Sequence, residues 1–111
     1  MRRAWILLAL GVAGCAAFRR GEGLDPGTLP VSVRADYEVF ADRCARCHSL
    51  ARPLTARVDS PRHWREYVTR MRAMPGSGIA PEDEPALLRF LDWYSASRRD
   101  APADAGAGGS S

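Results

Sequence analysis

The residues best able to do chemistry are Cys44, Cys47 and His48, in the run Cys44-Ala45-Arg46-Cys47-His48. Two thiols three positions apart can close a local disulfide, work as a redox dithiol, or join an imidazole around a metal ion. They can also add to two vinyl groups on one edge of a porphyrin, with the following histidine turned onto its iron from the same side. Cys-x-x-Cys-His is the spacing of that covalent attachment. The choice depends on the compartment and on the elements that carry the motif.

The compartment is read from the N-terminus. Residues 1–14 begin with Arg2 and Arg3, continue through an apolar run from Ala4 to Val12, and end on small residues before Cys15. That is the layout of a secretory signal peptide, and the apolar run is too short to span a bilayer. Val12-Ala13-Gly14-Cys15 resembles the lipobox of bacterial lipoproteins, which implies that Cys15 is lipid-modified and becomes the first mature residue. Several acyl chains make a stable anchor, since each buried CH₂ contributes about 0.8 kcal/mol. Cleavage by the ordinary signal peptidase would instead leave a soluble periplasmic protein. Ala16 after the cysteine resembles the outer-membrane sorting preference of Gram-negative lipoproteins.

With Cys15 assigned to lipid, Cys44 and Cys47 form a pair with no third partner. In an oxidising compartment that pair could be a disulfide. A loop so short would constrain the unfolded chain little. All sixteen basic residues are arginine. Without Arg2 and Arg3, fourteen arginines face thirteen acidic groups, a near-neutral balance that argues against a nucleic-acid partner.

With 111 residues the chain holds at most one small domain. Residues 15–33, rich in Gly and Pro, read as a lipid-anchored flexible linker. As a coil its eighteen residues from Ala16 would span about 23 Å. Residues 99–111 read as a disordered tail. The domain, residues 34–98, shows three helical patterns and no strand pattern, so the expected class is all-α: a compact three-helix domain plus loops.

The first pattern runs from about Arg34 to Cys44, with Tyr37, Phe40, Ala41 and Cys44 at helical spacing. The second opens at Ser60-Pro61, an N-cap and a first-turn proline, and carries Trp64, Tyr67, Val68 and Met71 on one face. The third opens near Glu82-Asp83-Glu84 with Pro85 in its first turn, and continues through Leu87, Leu88, Phe90, Leu91 and Tyr94. A core this small rarely supplies more than about 3–5 kcal/mol, so a metal, disulfides or a large buried cofactor should support it.

These patterns weigh the three chemistries. A thioredoxin-like dithiol belongs with a βαβ pattern, which is missing. A zinc site needs four ligands, and the other histidine, His63, has no second pair beside it. Covalent haem agrees with export, with a helix leading into the motif, and with the methionines downstream. The chain resembles the small bacterial monohaem class I cytochromes c. The resemblance runs from about residue 34 to 97, through Cys44, Cys47, His48 and Ser49, then Trp64, Val68 and Met71 in W-x-x-x-V-x-x-M, then Leu87 to Tyr94.

That resemblance implies one haem c bound through Cys44 and Cys47, with His48 and a methionine as axial ligands. It also implies packing of the first and last helices, and electron transfer between larger partners. Met71 continues the apolar face of its helix and matches the family's position; Met74, before Pro75, is the alternative, and His63 or an open site stays in play. Phe40, Trp64, Tyr67 and Val68 are the expected haem pocket. Arg52, Arg57, Arg62, Arg65 and Arg70 compete for the propionates.

The expected function is a membrane-tethered periplasmic electron carrier cycling Fe(III)/Fe(II), a monomer or a subunit of a redox complex, with no catalytic acid, base or nucleophile constellation. Two alternatives stand beside it. One is a haem-based module that binds or senses a small ligand at an open or labile sixth position. The other is a relay subunit of a larger membrane oxidoreductase.

Overall fold

The computed structural model describes residues 22–58 and 60–101. The expected signal peptide, Cys15, expected to be lipidated, and all but the first few residues of the expected tail lie outside them. Among the described residues the fold is all-α: α1 (Val31–Cys44), a single turn α2 (Ala51–Leu54), α3 (Pro61–Ala73) and α4 (Glu84–Asp100), with 3-10 turns at Pro26–Thr28 and Pro81–Asp83. No helix among them is long and apolar enough to cross a membrane.

The helix ends follow local rules. Ser60 caps α3, its Oγ accepting from the His63 N–H at 3.3 Å, and Pro61 occupies the first turn, where no amide donor is needed. α3 stops at Ala73 because Met74 precedes a proline; its backbone is extended, at φ −66° and ψ 134°. α4 follows directly on the Pro81–Asp83 turn, with Pro85 in its first turn.

α1 starts at Val31, three residues before the expected position, and the stretch read as linker contributes to the core. Leu29 and Val33 are buried and Leu24 packs against them. The Tyr37 hydroxyl donates to the Leu24 carbonyl at 2.7 Å and accepts from the Leu24 N–H at 2.8 Å. Arg34 Nε donates to the Leu29 carbonyl at 2.9 Å. These are tertiary and cap-like contacts that a Gly/Pro-rich composition does not reveal. The one-turn helix α2 was likewise expected as loop; the Tyr94 hydroxyl and Arg98 fasten it to α4 by donating to the Leu54 carbonyl, at 3.0 and 2.8 Å.

α4 is the element the others lean on. It packs against α1 over the largest interhelical contact and against α3 over the next. Phe90 is fully buried between two α1 rings, 4.7 Å from Phe40 and 5.1 Å edge-on from Tyr37 by centroid distance. Trp64 of α3 buries its indole and donates from Nε1 to Ser95 Oγ of α4 at 2.6 Å. Arg89 forks onto Asp36 of α1, at 2.8 and 2.9 Å.

The Trp64–Ser95 bond is buried, so removing one partner strands the other. Trp64→Phe is expected to cost about 1–3 kcal/mol in chemical denaturation. Adding Ser95→Ala should return part of that loss, because the orphaned hydroxyl is gone; a strictly additive double variant would show that the bond contributes nothing.

Candidate functional site

Because α1 and α3 both lean on α4, their C-terminal ends leave a cleft between them. Its volume is about 280 Å³. From one side come the end of α1 and the turn after it, with Arg43, Cys44, Cys47 and His48, and then Arg52 of α2. From the other come Tyr67 and Met71 of α3 and the segment after it, with Met74, Pro75, Ser77 and Ile79. The lining is mostly apolar, set with two thiols, an imidazole and two thioethers.

Cys44 ends α1 one turn beyond Phe40, which is itself anchored on Phe90. Burial pushes the Cys44 thiol up to about 12, so at neutral pH it stays protonated. Cys47, in the turn that follows, is exposed, and both residues are free thiols. His48 Nδ1 lies 3.0 Å from the Ser49 carbonyl oxygen. A carbonyl can only accept, so Nδ1 carries the proton and the lone pair resides on Nε2, the tautomer a metal-ligating imidazole needs. Ser49 is held in turn: its Oγ donates to Glu22 and accepts from the Ala51 N–H at 3.0 Å.

On the α3 side, Met71 is half-buried, whereas Met74 is 57 % exposed. Tyr67, one turn before Met71, buries its hydroxyl without a hydrogen-bond partner among the described residues. Burial raises the Tyr67 phenol, the Cys44 thiolate adds to that only where it forms, and Arg52 and Arg70 oppose it. A buried phenol of this kind costs about 1–3 kcal/mol unless something accepts from it. The segment after α3 is fastened at its far end. Asp83 accepts from the Ala80 N–H at 2.9 Å and from Arg43 Nε at 2.8 Å. The Ala80 bond lowers its carboxyl most, burial opposes it next, and Arg43 adds to the lowering, so that the group lies below the ordinary value of 3.8. Arg72 pairs with Glu84 at the near end.

Of the residues expected from sequence, the cleft brings together Cys44, Cys47, His48, Met71, Met74 and Tyr67. Phe40, Trp64 and Val68 lie in the core and do not line it; Phe40 and Trp64 meet α4 through Phe90 and Ser95. His63 is exposed near the start of α3 and is not part of the lining. Among the five competing arginines, Arg52 lines the cleft and Arg70 lies over the Tyr67 ring, 5.9 Å from its centroid. Arg57 borders a separate groove beside Ser95, and Arg62 pairs with Glu66 on the surface. Arg43, Ser77 and Ile79 were not anticipated, because only the tertiary fold brings them to the cleft.

The donor set suits a covalently held porphyrin: two thiols near one end, an imidazole with Nε2 available, thioethers on the other element, and a donor-poor wall. The orphaned Tyr67 hydroxyl and the Arg52 guanidinium are the polar groups such a ligand's acceptors would meet. Among the described residues no three His, Cys, Asp or Glu side chains gather as a set for a bare metal ion.

No family model, no curated protein and no solved structure matches the chain.

The two thiols differ in access, and this is testable on chain produced without cofactor. Iodoacetamide should alkylate Cys47 first at pH 8, and peptide mapping should find Cys44 largely unmodified. Raising the pH toward 12 makes Cys44 reactive, since its thiolate forms only as pH nears the raised value. Equal rates at pH 8 would contradict the burial of Cys44.

Proposed function

We propose that the chain is an electron-transfer protein, a monohaem c-type cytochrome tethered by Cys15 on the periplasmic side of a bacterial membrane, the outer membrane being favoured by Ala16. The observation that carries this reading is that one cleft collects both thiols of the Cys-x-x-Cys-His run, the His48 imidazole with Nε2 left for ligation, and both methionines. Cys44 and Cys47 would hold the haem, His48 would be one axial ligand, and Met71, with Met74 as the alternative, the other. Haem, when bound, supplies a reversible Fe(III)/Fe(II) couple, which a thioether ligand shifts to higher potential.

The chain's own residues do the rest. Ser49 fixes the His48 ring through its carbonyl. Tyr67 and Arg52 offer hydrogen bonds and charge to ligand oxygens, and the Met71, Pro75 and Ile79 side chains exclude water from the cleft. Partners would be other redox proteins, met through a small transient interface. A monomer and a subunit of a redox complex both agree with the fold.

Exposure of Met74 favours a second reading, in which the sixth position is labile and the module binds a small ligand. The spectra of haem-loaded Met71→Ala and Met74→Ala distinguish them. Loss of the weak sulfur–iron band at the red end of the oxidised spectrum in Met71→Ala, and its retention in Met74→Ala, is the expected outcome. Absence of that band in the wild type, with rapid carbon monoxide binding to the reduced protein, would favour the ligand-binding reading instead.

A further inference from the structure

Two arginines cross from the cysteine side of the cleft to the segment that carries Met74. Arg43 reaches Asp83, which in turn caps Ala80. Arg46, the middle of the Cys-Ala-Arg-Cys-His run, lies on the backbone of Gly78. A Cβ placed at Gly78 would stand 1.9 Å from Arg46 Nη1 and 3.0 Å from its Cζ. Asp42 aligns the pair, 3.0 Å from Arg43 Nη1 and 3.9 Å from Arg46 Nη2.

Gly76 and Gly78 both adopt the left-handed backbone, at φ 74° and 66°. They differ in what surrounds them. Nothing lies within 4 Å of a Cβ at Gly76, so that glycine serves the turn alone. Gly78 serves the turn and also a close approach, because any side chain there would occupy the place of the Arg46 guanidinium. Arg46, one of the two motif residues between the cysteines, thus rests its guanidinium against the methionine segment.

We propose that Arg46 is a positioning residue that latches residues 74–80 onto the cysteine turn and narrows the mouth of the cleft beside Met71. The Asp42–Arg46 pair is about half exposed on both sides, so its Coulomb contribution is small and screened. What Arg46 adds to the Arg43–Asp83 and Arg72–Glu84 ties is the packing of its guanidinium on Gly78, a contact weak enough to break by local opening without unfolding α1 or α4. Opening would admit a small ligand beside Met71 and Met74, a consequence that rests on the haem reading above; the latch itself rests on the contact alone.

Hydrogen exchange read by mass spectrometry on the full chain tests the latch whatever its cofactor content. Arg46→Ala should speed exchange in residues 76–80 several-fold and leave α1 and α4 unchanged. Gly78→Ala should speed it too, there with the cost of a left-handed alanine added, and the double variant should exchange no faster than Gly78→Ala alone, because Arg46 then has no contact left to lose. Unchanged exchange in Arg46→Ala, or multiplied effects in the double variant, would overturn the proposal. In the haem-loaded, reduced chain, Arg46→Ala should also take up carbon monoxide several-fold faster than wild type. Faster exchange without faster uptake would overturn the link to the sixth position while leaving the latch standing. A chain that carries no haem would defeat the functional reading, and the exchange result would still judge the latch.

Discussion

The burial of Phe90 between Tyr37 and Phe40 is the contact on which the rest of the structure depends. It fixes α1 on α4, and the Trp64–Ser95 bond fixes α3 on the same helix. With one helix supporting two others, the C-terminal ends of α1 and α3 are held at a set separation by neighbours that lie behind them. The cleft is the space this arrangement leaves. Some of its lining residues lie on the helices that the core holds and others on the turns beyond them.

This geometry explains how chemistry-bearing residues distant in the chain share one site. Cys44 is the last residue of α1 and Met71 lies near the end of α3, so both are placed by helix packing. Cys47, His48 and Met74 are carried just beyond those helices and need local support. His48 receives it from the Ser49 carbonyl, and the Met74 segment from Arg72–Glu84, Arg43–Asp83 and the seat of Arg46 on Gly78. The Tyr67 hydroxyl is a buried polar group of the cleft wall with no hydrogen-bond partner among the described residues. A ligand with an oxygen at that end would relieve it.

Much of this was legible in the sequence where the controlling interaction is local. Ser60-Pro61 announces the start of α3 because an N-cap and a first-turn proline act within one turn, and Met74-Pro75 announces its end for the same kind of reason. The start of α1 was not legible, since Leu24 and Leu29 belong to the fold only through Tyr37, Val33 and Arg34. Phe40, Trp64 and Val68, expected at a haem pocket, are core residues outside the cleft lining. An apolar stripe shows that a face is covered, and it does not say whether a helix or a cofactor covers it. The approach of Arg46 to Gly78 has no sequence signal beyond the Gly-Ser-Gly run, which reads as an ordinary turn.

The central claim is that the cleft exists to hold a haem bound through two thioether bonds. The most direct measurement is the mass of the denatured chain after expression with export and a cytochrome maturation system, followed by acid–acetone extraction. The account predicts a polypeptide heavier by one haem, with the colour retained on the chain and the added mass mapping to the peptide that contains Cys44 and Cys47. Haem released by the extraction, or a chain with the mass of the bare polypeptide, would contradict it.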